Sequence, residues 1–208
     1  MNNFTSKRKQ MVERDIKKRG IKDKRVLEAM EKIPRHKFVP DEYRQYAYGD
    51  FPLSIGYGQT ISQPYIVAYM TDLLQLEPED RVLEIGAGSG YQTAILAELS
   101  KEVYAVEIVP ELLESARELL TSMGYSNIYY KQGDGKEGWE EKAPFSKIIV
   151  TAAPREIPDK LIHQLCSPGR MVIPVGALGS QTLYLVKKNK KEELDIIPKL
   201  SVAFVPLV

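Results

Sequence analysis

The chain has 208 residues, 43% hydrophobic and 27% charged, with a formal net charge of +1. That balance is ordinary for a soluble globular protein with one sizeable core. No apolar run approaches the roughly 18 residues of a membrane span. The start, Met1-Asn2-Asn3-Phe4-Thr5-Ser6-Lys7-Arg8, lacks the apolar core of a signal peptide. Cys166 is the only cysteine, and His36 and His163 are the only histidines, which excludes an internal disulfide and argues against a zinc site. The expectation is a cytoplasmic, metal-free protein.

Residues 1–25 hold ten Lys/Arg against three acids, leaving the remainder acidic. A basic arm can grip nucleic acid. The absence of aromatics interleaved with these charges favours instead the solvated face of a helix whose apolar stripe includes Met11 and Ile16. The pattern predicts a helix from about Thr5 to Arg19 that stops at Gly20, and a second from an Asp23 cap to Met30, ending before Pro34. Residues 34–63 are rich in proline, tyrosine and glycine and show little periodicity. A loop of that length in a compact domain is usually functional. His36 is expected to hydrogen-bond within this loop, and Trp139 and tyrosines 43, 46 and 48 to pack. A helix is predicted from Ser62 as N-cap, with Pro64 in its first turn, to about Leu74.

Strands are then predicted at 81–85, 102–107, 127–132, 146–151 and 170–175, with helices near 90–99, 110–123 and 157–166 and a weaker segment near 135–141. Alternation of this kind makes an α/β fold, a doubly wound, mostly parallel sheet covered by helices on both faces. Two last strands, at 182–186 and 200–207 with a polar turn from Lys187 to Glu193, are expected to close the sheet antiparallel. The chain divides into N-terminal helices with a lid loop (1–77), a cofactor core (78–177) and closing strands (178–208), forming one compact unit.

The core's first strand, Val82-Leu83-Glu84-Ile85, runs into Gly86-Ala87-Gly88-Ser89-Gly90 and then a helix, and Glu107 ends the second strand. This is the first half of a nucleotide-binding sheet, its glycines letting a ligand approach backbone N–H groups. A nicotinamide fingerprint needs glycine at the sixth position of the turn, where this chain has Tyr91. The Gly-Lys-Ser/Thr ending of a phosphate loop is also missing. What remains is Glu-x-Gly-x-Gly-x-Gly, the form used for S-adenosylmethionine. In that reading Glu84 accepts from the cofactor's ammonium group, directly or through water. Glu107 takes the ribose hydroxyls, and Asp134, in Gly133-Asp134-Gly135 after the third strand, takes the adenine amino group.

After the fourth strand stands Thr151-Ala152-Ala153-Pro154, without the polar side chain that would hold an amine. Such a turn suits an acceptor that needs no deprotonation, for example a carboxylate, ionised at neutral pH with a pKa near ~4.

Several segments together resemble the protein-L-isoaspartate O-methyltransferase family, from about Val26 to the last residue. They are Gly56-Tyr57-Gly58-Gln59-Thr60-Ile61-Ser62-Gln63-Pro64, the glycine turn, Gly133-Asp134-Gly135, Pro168-Gly169, Pro174-Val175-Gly176 and Phe204-Val205-Pro206-Leu207. The Thr-Ile-Ser-Gln-Pro segment is the family-specific part. The resemblance implies a Rossmann-like methyltransferase fold and methylation of the free carboxyl of L-isoaspartyl residues in damaged proteins and peptides, with S-adenosylhomocysteine as by-product. It makes Ser62 the active-site residue. It places Ile55, Gly56, Tyr57 and Gly58 over the cofactor as a lid, with Glu84, Gly86, Gly88, Ser89, Glu107, Ile108, Asp134 and Gly135 around it. Thr60, Ile61, Pro154 and Val205 would line the peptide groove. A monomer without nucleic-acid or membrane partners is expected. Two other readings remain: a nucleic-acid methyltransferase using the basic arm, and an adenosylmethionine-binding module without catalysis.

Overall fold

A computed structural model describes residues 4–208; Met1–Asn3 of the expected N-terminal segment lie outside the described residues. Helix α1 (Phe4–Met11) continues without a break through a π-helical turn (Val12–Ile16) and a 3-10 turn (Lys17–Arg19) to Gly20, which is left-handed at φ 104°. The wide turn is what a plain 3.6-residue reading of residues 5–19 misses. It brings Met11 and Ile16, five residues apart, to the same buried face. Helix α2 (Lys24–Lys32) starts where expected, with the Asp23 carboxylate accepting from the Arg25 N–H.

The segment read as a long irregular loop contains 3-10 turns at Arg35–Lys37 and Asp41–Tyr46 and a small antiparallel hairpin of β1 (Leu53–Gly56) and β2 (Gln59–Ile61). His36 does bond within it, to the Tyr48 hydroxyl at 2.7 Å, and stacks on Phe4.

Helix α3 (Pro64–Leu74) corrects the expected cap. Its N-cap is Gln63, which makes no side-chain capping bond, and Ser62 lies one residue outside. The capping acceptor comes from elsewhere in the chain. Asp50 accepts from the Tyr65 N–H at 2.9 Å and from the Gln63 amide at 3.1 Å, and it pairs with Arg19. Asp50→Ala is therefore expected to destabilise the fold by about 1–3 kcal/mol, read as a lowered urea midpoint with an unchanged slope.

From there the chain alternates: β3 (Arg81–Ile85), α4 (Tyr91–Leu99), β4 (Glu102–Glu107), α5 (Pro110–Ser122), β5 (Ile128–Gln132), β6 (Phe145–Val150), α6 (Asp159–Gln164), β7 (Leu165–Ala177), β8 (Ser180–Lys188) and β9 (Leu194–Val202). The seven-stranded sheet has the order β5-β4-β3-β6-β7-β8-β9, parallel up to β7 and antiparallel beyond. Strand β3 lies between β4 and β6, so the order reverses there, and a doubly wound sheet opens a crevice at the carboxyl ends of such strands.

Three predicted segments end differently. Residues 135–141 form two 3-10 turns, Gly135–Glu137 and Glu140–Lys142. Helix α6 is shorter than 157–166 because β7 begins at Leu165. The last strand is Leu194–Val202 rather than 200–207: strand β8 runs to Lys188, and the turn after it closes on the Asn189 side chain, which accepts from the Lys191 and Glu193 N–H groups. Residues 203–208 instead cross the end of the sheet. The Ala153 N–H donates to the Val205 carbonyl at 2.8 Å and the Leu207 N–H to the Ala153 carbonyl at 2.9 Å. The Gln181 amide pairs with both backbone groups of Phe204.

The N-terminal residues Met11, Ile16, Met30 and Phe38 share one apolar cluster with Tyr91, Ala94 and Ile95 of α4 and Leu120 of α5. The N-terminal segment is thus packed onto the cofactor core. Among the described residues no helix is long and apolar enough to cross a membrane.

Candidate functional site

The turn after β3 has its shape for two physical reasons. Gly86 sits at φ 89°, and a Cβ there would lie 2.6 Å from Thr151 Oγ1, so glycine alone fits. The Gly86 and Ala87 N–H groups both donate to the Val106 carbonyl, at 2.8 and 3.3 Å, and the Thr151 hydroxyl donates to the Gly86 carbonyl at 2.6 Å. The turn is pinned between the ends of β4 and β6. Beside it opens a cleft of about 870 Å³, lined among others by Gly86, Gly88, Ser89, Glu107, Ile108 and Gly135.

Glu107 is 6% exposed and holds the turn by its side chain. One carboxylate oxygen accepts from the Gly88 N–H at 2.8 Å, the other from the Ile108 and Val109 N–H groups at 2.9 and 3.0 Å. It is a fixed, ionic acceptor on the cleft wall.

Glu84 is fully buried and does not line the cleft, and neither of its oxygens has a partner among the described residues. Burial is the chief cause that pushes its carboxyl up to about 8, with the like charge of Glu107 adding to it and Thr93 opposing. An unsatisfied buried carboxyl next to a glycine turn fits a cationic group such as an ammonium.

Gly135 is buried, and a Cβ there would lie 2.3 Å from Ile85 Cγ2. Its N–H has no partner among the described residues, leaving a donor at the cleft wall for a ring nitrogen. Asp134 itself is exposed and lies off the wall, its Oδ1 accepting from the Lys136 N–H at 2.8 Å. The unpartnered groups and the acceptor at Glu107 fit an adenosyl amino acid. Among the described residues no cluster of three His, Cys, Asp or Glu could hold a metal ion.

The expected lid is the β1–β2 hairpin. Ile55 is buried, and its Cδ1 would lie 3.3 Å from a Cβ placed on Gly88, so it rests on the turn. Gly56, Tyr57 and Gly58 form the hairpin tip, with φ of 87°, 54° and 71°, and do not line the cleft. Tyr57 is 60% exposed.

A second cavity of about 960 Å³ lies against the first and is lined by Pro52, Gln63, Ile66 and residues 201–205, among others. Thr60, Ser62, Thr151 and Val205 line both cavities. Ile61 faces the cofactor cleft alone, and Pro154 is buried, lines neither cavity and accepts from the Gly176 N–H. The Ser62 hydroxyl makes no hydrogen bond among the described residues, while its main-chain carbonyl accepts from Arg35 Nη2 at 2.8 Å.

Sequence reasoning passed over several residues here. Thr151 was read as part of a small turn, yet its hydroxyl pins Gly86. Gln59 also lines the cleft. Arg35 is fully buried, and nothing in Pro34-Arg35-His36 signals that.

Comparison with known proteins adds the following. The model of a family described as protein-L-isoaspartate(D-aspartate) O-methyltransferase matches residues 6–208. The protein-L-isoaspartate O-methyltransferase of Picosynechococcus sp. is 52% identical over 200 residues, covering 96% of this chain and 89% of its own. That of Dictyoglomus turgidum is 54% identical over 208 residues, covering 98% and 92%. A solved protein-L-isoaspartate O-methyltransferase superposes with a TM-score of 0.86 at 30% identity, covering 96% of this chain and 65% of that longer one. A Plasmodium falciparum structure described as a putative enzyme of the same kind, in complex with S-adenosyl-L-homocysteine, gives a TM-score of 0.81 at 27% identity, covering 97% and 98%.

Proposed function

The chain belongs to the protein-L-isoaspartate(D-aspartate) O-methyltransferase family, and from that premise we infer that it moves a methyl group from S-adenosylmethionine to the free carboxyl of L-isoaspartyl residues in damaged proteins and peptides, initiating their repair. The observation that carries the reading is the pair of adjoining cavities that share Thr60, Ser62, Thr151 and Val205. One holds the donor, the other the peptide, and the shared wall is where the carboxylate is presented.

Bound S-adenosylmethionine supplies an electrophilic methyl group on a sulfonium. Glu107 and Gly135 would hold its ribose and adenine, with Gly86, Gly88, Ser89 and Ile108 around them and Ile55 resting on the turn; Glu84, buried behind the wall, would take the ammonium through water, and Asp134 and the Gly56–Gly58 tip stand outside the cleft. On the acceptor side the nucleophile is the substrate's own carboxylate, already ionised at neutral pH. Ser62 therefore acts as a donor that aims one carboxylate oxygen and holds it as water is withdrawn. No general base is needed. An anion and a cation cancel in the products, so a desolvated site favours the reaction. Thr60 and Val205, which line both cavities, form the near surroundings of the peptide, with Ile61 on the donor side and Pro154 buried behind the wall.

Ser62→Ala is expected to lower kcat by about ten- to a hundredfold, measured with an isoaspartyl peptide, while the Kd for S-adenosylhomocysteine stays within about twofold. An unchanged kcat, or equal losses in both constants, would overturn the aiming role. Transfer to RNA or DNA, with none to the peptide, would overturn the substrate.

Five of the ten basic residues in the N-terminal stretch are engaged in ion pairs, Lys9–Glu31, Arg14–Asp15, Lys17–Glu13, Arg19–Asp50 and Arg25–Asp23, which supports a peptide over a nucleic acid as acceptor. The reading includes a cytoplasmic monomer. Residues 1–77 supply the lid and much of the acceptor wall, 78–177 the cofactor core, and 178–208 the closing strands.

A further inference from the structure

We propose that Arg35 is a positioning residue that sets the Ser62 hydroxyl relative to the glycine turn; the inference rests on the reading of Ser62 given above. Its guanidinium is fully buried and has no carboxylate partner among the described residues. Asp50, the acid whose field reaches it, is engaged with Arg19, Gln63 and the Tyr65 N–H. Burial draws Arg35 down to about 10, which leaves it charged at neutral pH.

A buried cation without a counter-ion costs several kcal/mol, and an apolar side chain would fill the same volume at less cost. Its contacts show what it does there. Nε donates to the Ala47 carbonyl and Nη2 to the Ser62 carbonyl, each at 2.8 Å, and the guanidinium lies 4.8 Å from the centre of the Tyr91 ring. Ala47 and Ser62 bracket the stretch that carries Asp50, the hairpin and Thr60, all of it acceptor-side or lid. Tyr91 is the first residue of α4, directly after the glycine turn, and lines the cofactor cleft. One planar fork thus ties the acceptor wall to the donor wall.

The rigid geometry of arginine suits this role, since lysine offers no fork and cannot stack. Transfer between two bound groups needs the reacting atoms within about 3–3.5 Å and aligned, and a displacement of about 1 Å costs on the order of a hundredfold. Sequence position gives no hint of it, because Arg35 and Ser62 are 27 residues apart.

The test is a double-mutant cycle of Arg35→Lys and Ser62→Ala, read in kcat and KM for an isoaspartyl peptide, in the Kd for S-adenosylhomocysteine by calorimetry, and in thermal midpoint. Arg35→Lys alone is expected to lower kcat about tenfold or more and to leave S-adenosylhomocysteine affinity within about twofold. In the Ser62→Ala background it is expected to cost little further. A purely structural arginine would move kcat, cofactor affinity and midpoint together, and would add its full effect in the double variant; either result overturns the proposal. If Ser62→Ala alone leaves kcat unchanged, the reading of Ser62 fails instead. A measurement on the wild-type protein stands beside the cycle should the variant not fold. In a 15N-arginine-labelled sample, the exchange-protected Arg35 Nε–H resonance should shift when isoaspartyl peptide is added to the S-adenosylhomocysteine complex. A resonance indifferent to the peptide overturns the proposal.

Discussion

Glu107→Ala is expected to raise the dissociation constant for S-adenosylhomocysteine by about a thousandfold. The wild-type carboxylate accepts from the Gly88, Ile108 and Val109 N–H groups and lines the cleft. Alanine leaves those three donors without their acceptor in the free and the bound protein alike, a folding cost of about 1–3 kcal/mol for each that stays buried, and the turn loses the brace that fixes its shape. It also removes the charged acceptor proposed for the two ribose hydroxyls, at about 1.5–3 kcal/mol per hydrogen bond. A net loss of about 4 kcal/mol corresponds to that thousandfold. Glu107→Gln should recover only part of it, because one carboxylate oxygen is replaced by an N–H₂ that faces donors. Calorimetric titration decides the matter: a dissociation constant within tenfold of wild type would remove Glu107 from the cofactor site.

Glu84→Gln should make the protein more stable than wild type at pH 8 and no different at pH 4. The carboxyl titrates near 4.5 in the unfolded chain and near 8 in the folded one. Between those values the folded state holds a proton that the unfolded state has lost, so wild-type stability falls as pH rises through the window. At about 1.4 kcal/mol per pKa unit the full difference amounts to roughly 5 kcal/mol. The groups that face Glu84 act in both directions: Glu107 on β4 raises its pKa and Thr93 on α4 lowers it. Tyr130 on β5, itself pushed up to about 12 mainly by burial, is a further neighbour of its charge. Urea denaturation of both proteins from pH 4 to pH 8.5 is the measurement. Parallel profiles would show that Glu84 is not the buried acid described. Saturating S-adenosylhomocysteine, whose ammonium is the proposed counter-charge of Glu84, should narrow the gap.

The parts legible in the sequence are those in which local pattern and tertiary role coincide. Strands β3, β4 and β6 carry the apolar runs Val82-Leu83, Val103–Val106 and Ile148–Val150, buried in the middle of the sheet, and the expected limits lie within a residue of the observed ones. Glu84 and Glu107 follow from the glycine turn by position alone. What stayed hidden is long-range. Ser62 has the residue type of an N-cap, yet the cap is supplied by Asp50, which no helix-start rule locates. The last strand was placed too late because Phe204 and Val205 look like strand, whereas their partners are the Gln181 side chain and Ala153. Arg35 reads as a loop cation and is a core residue. Each of these depends on a contact with a segment far along the chain, and periodicity carries no record of such contacts.

The wall shared by the two cavities has a consequence in time. It is made by residues 60, 62, 151 and 205, and the same four line the donor cleft. A chain lengthening from its N-terminus therefore has neither cavity complete until Val205 docks on Ala153. Repair begins only when the two ends of the molecule have met across its middle.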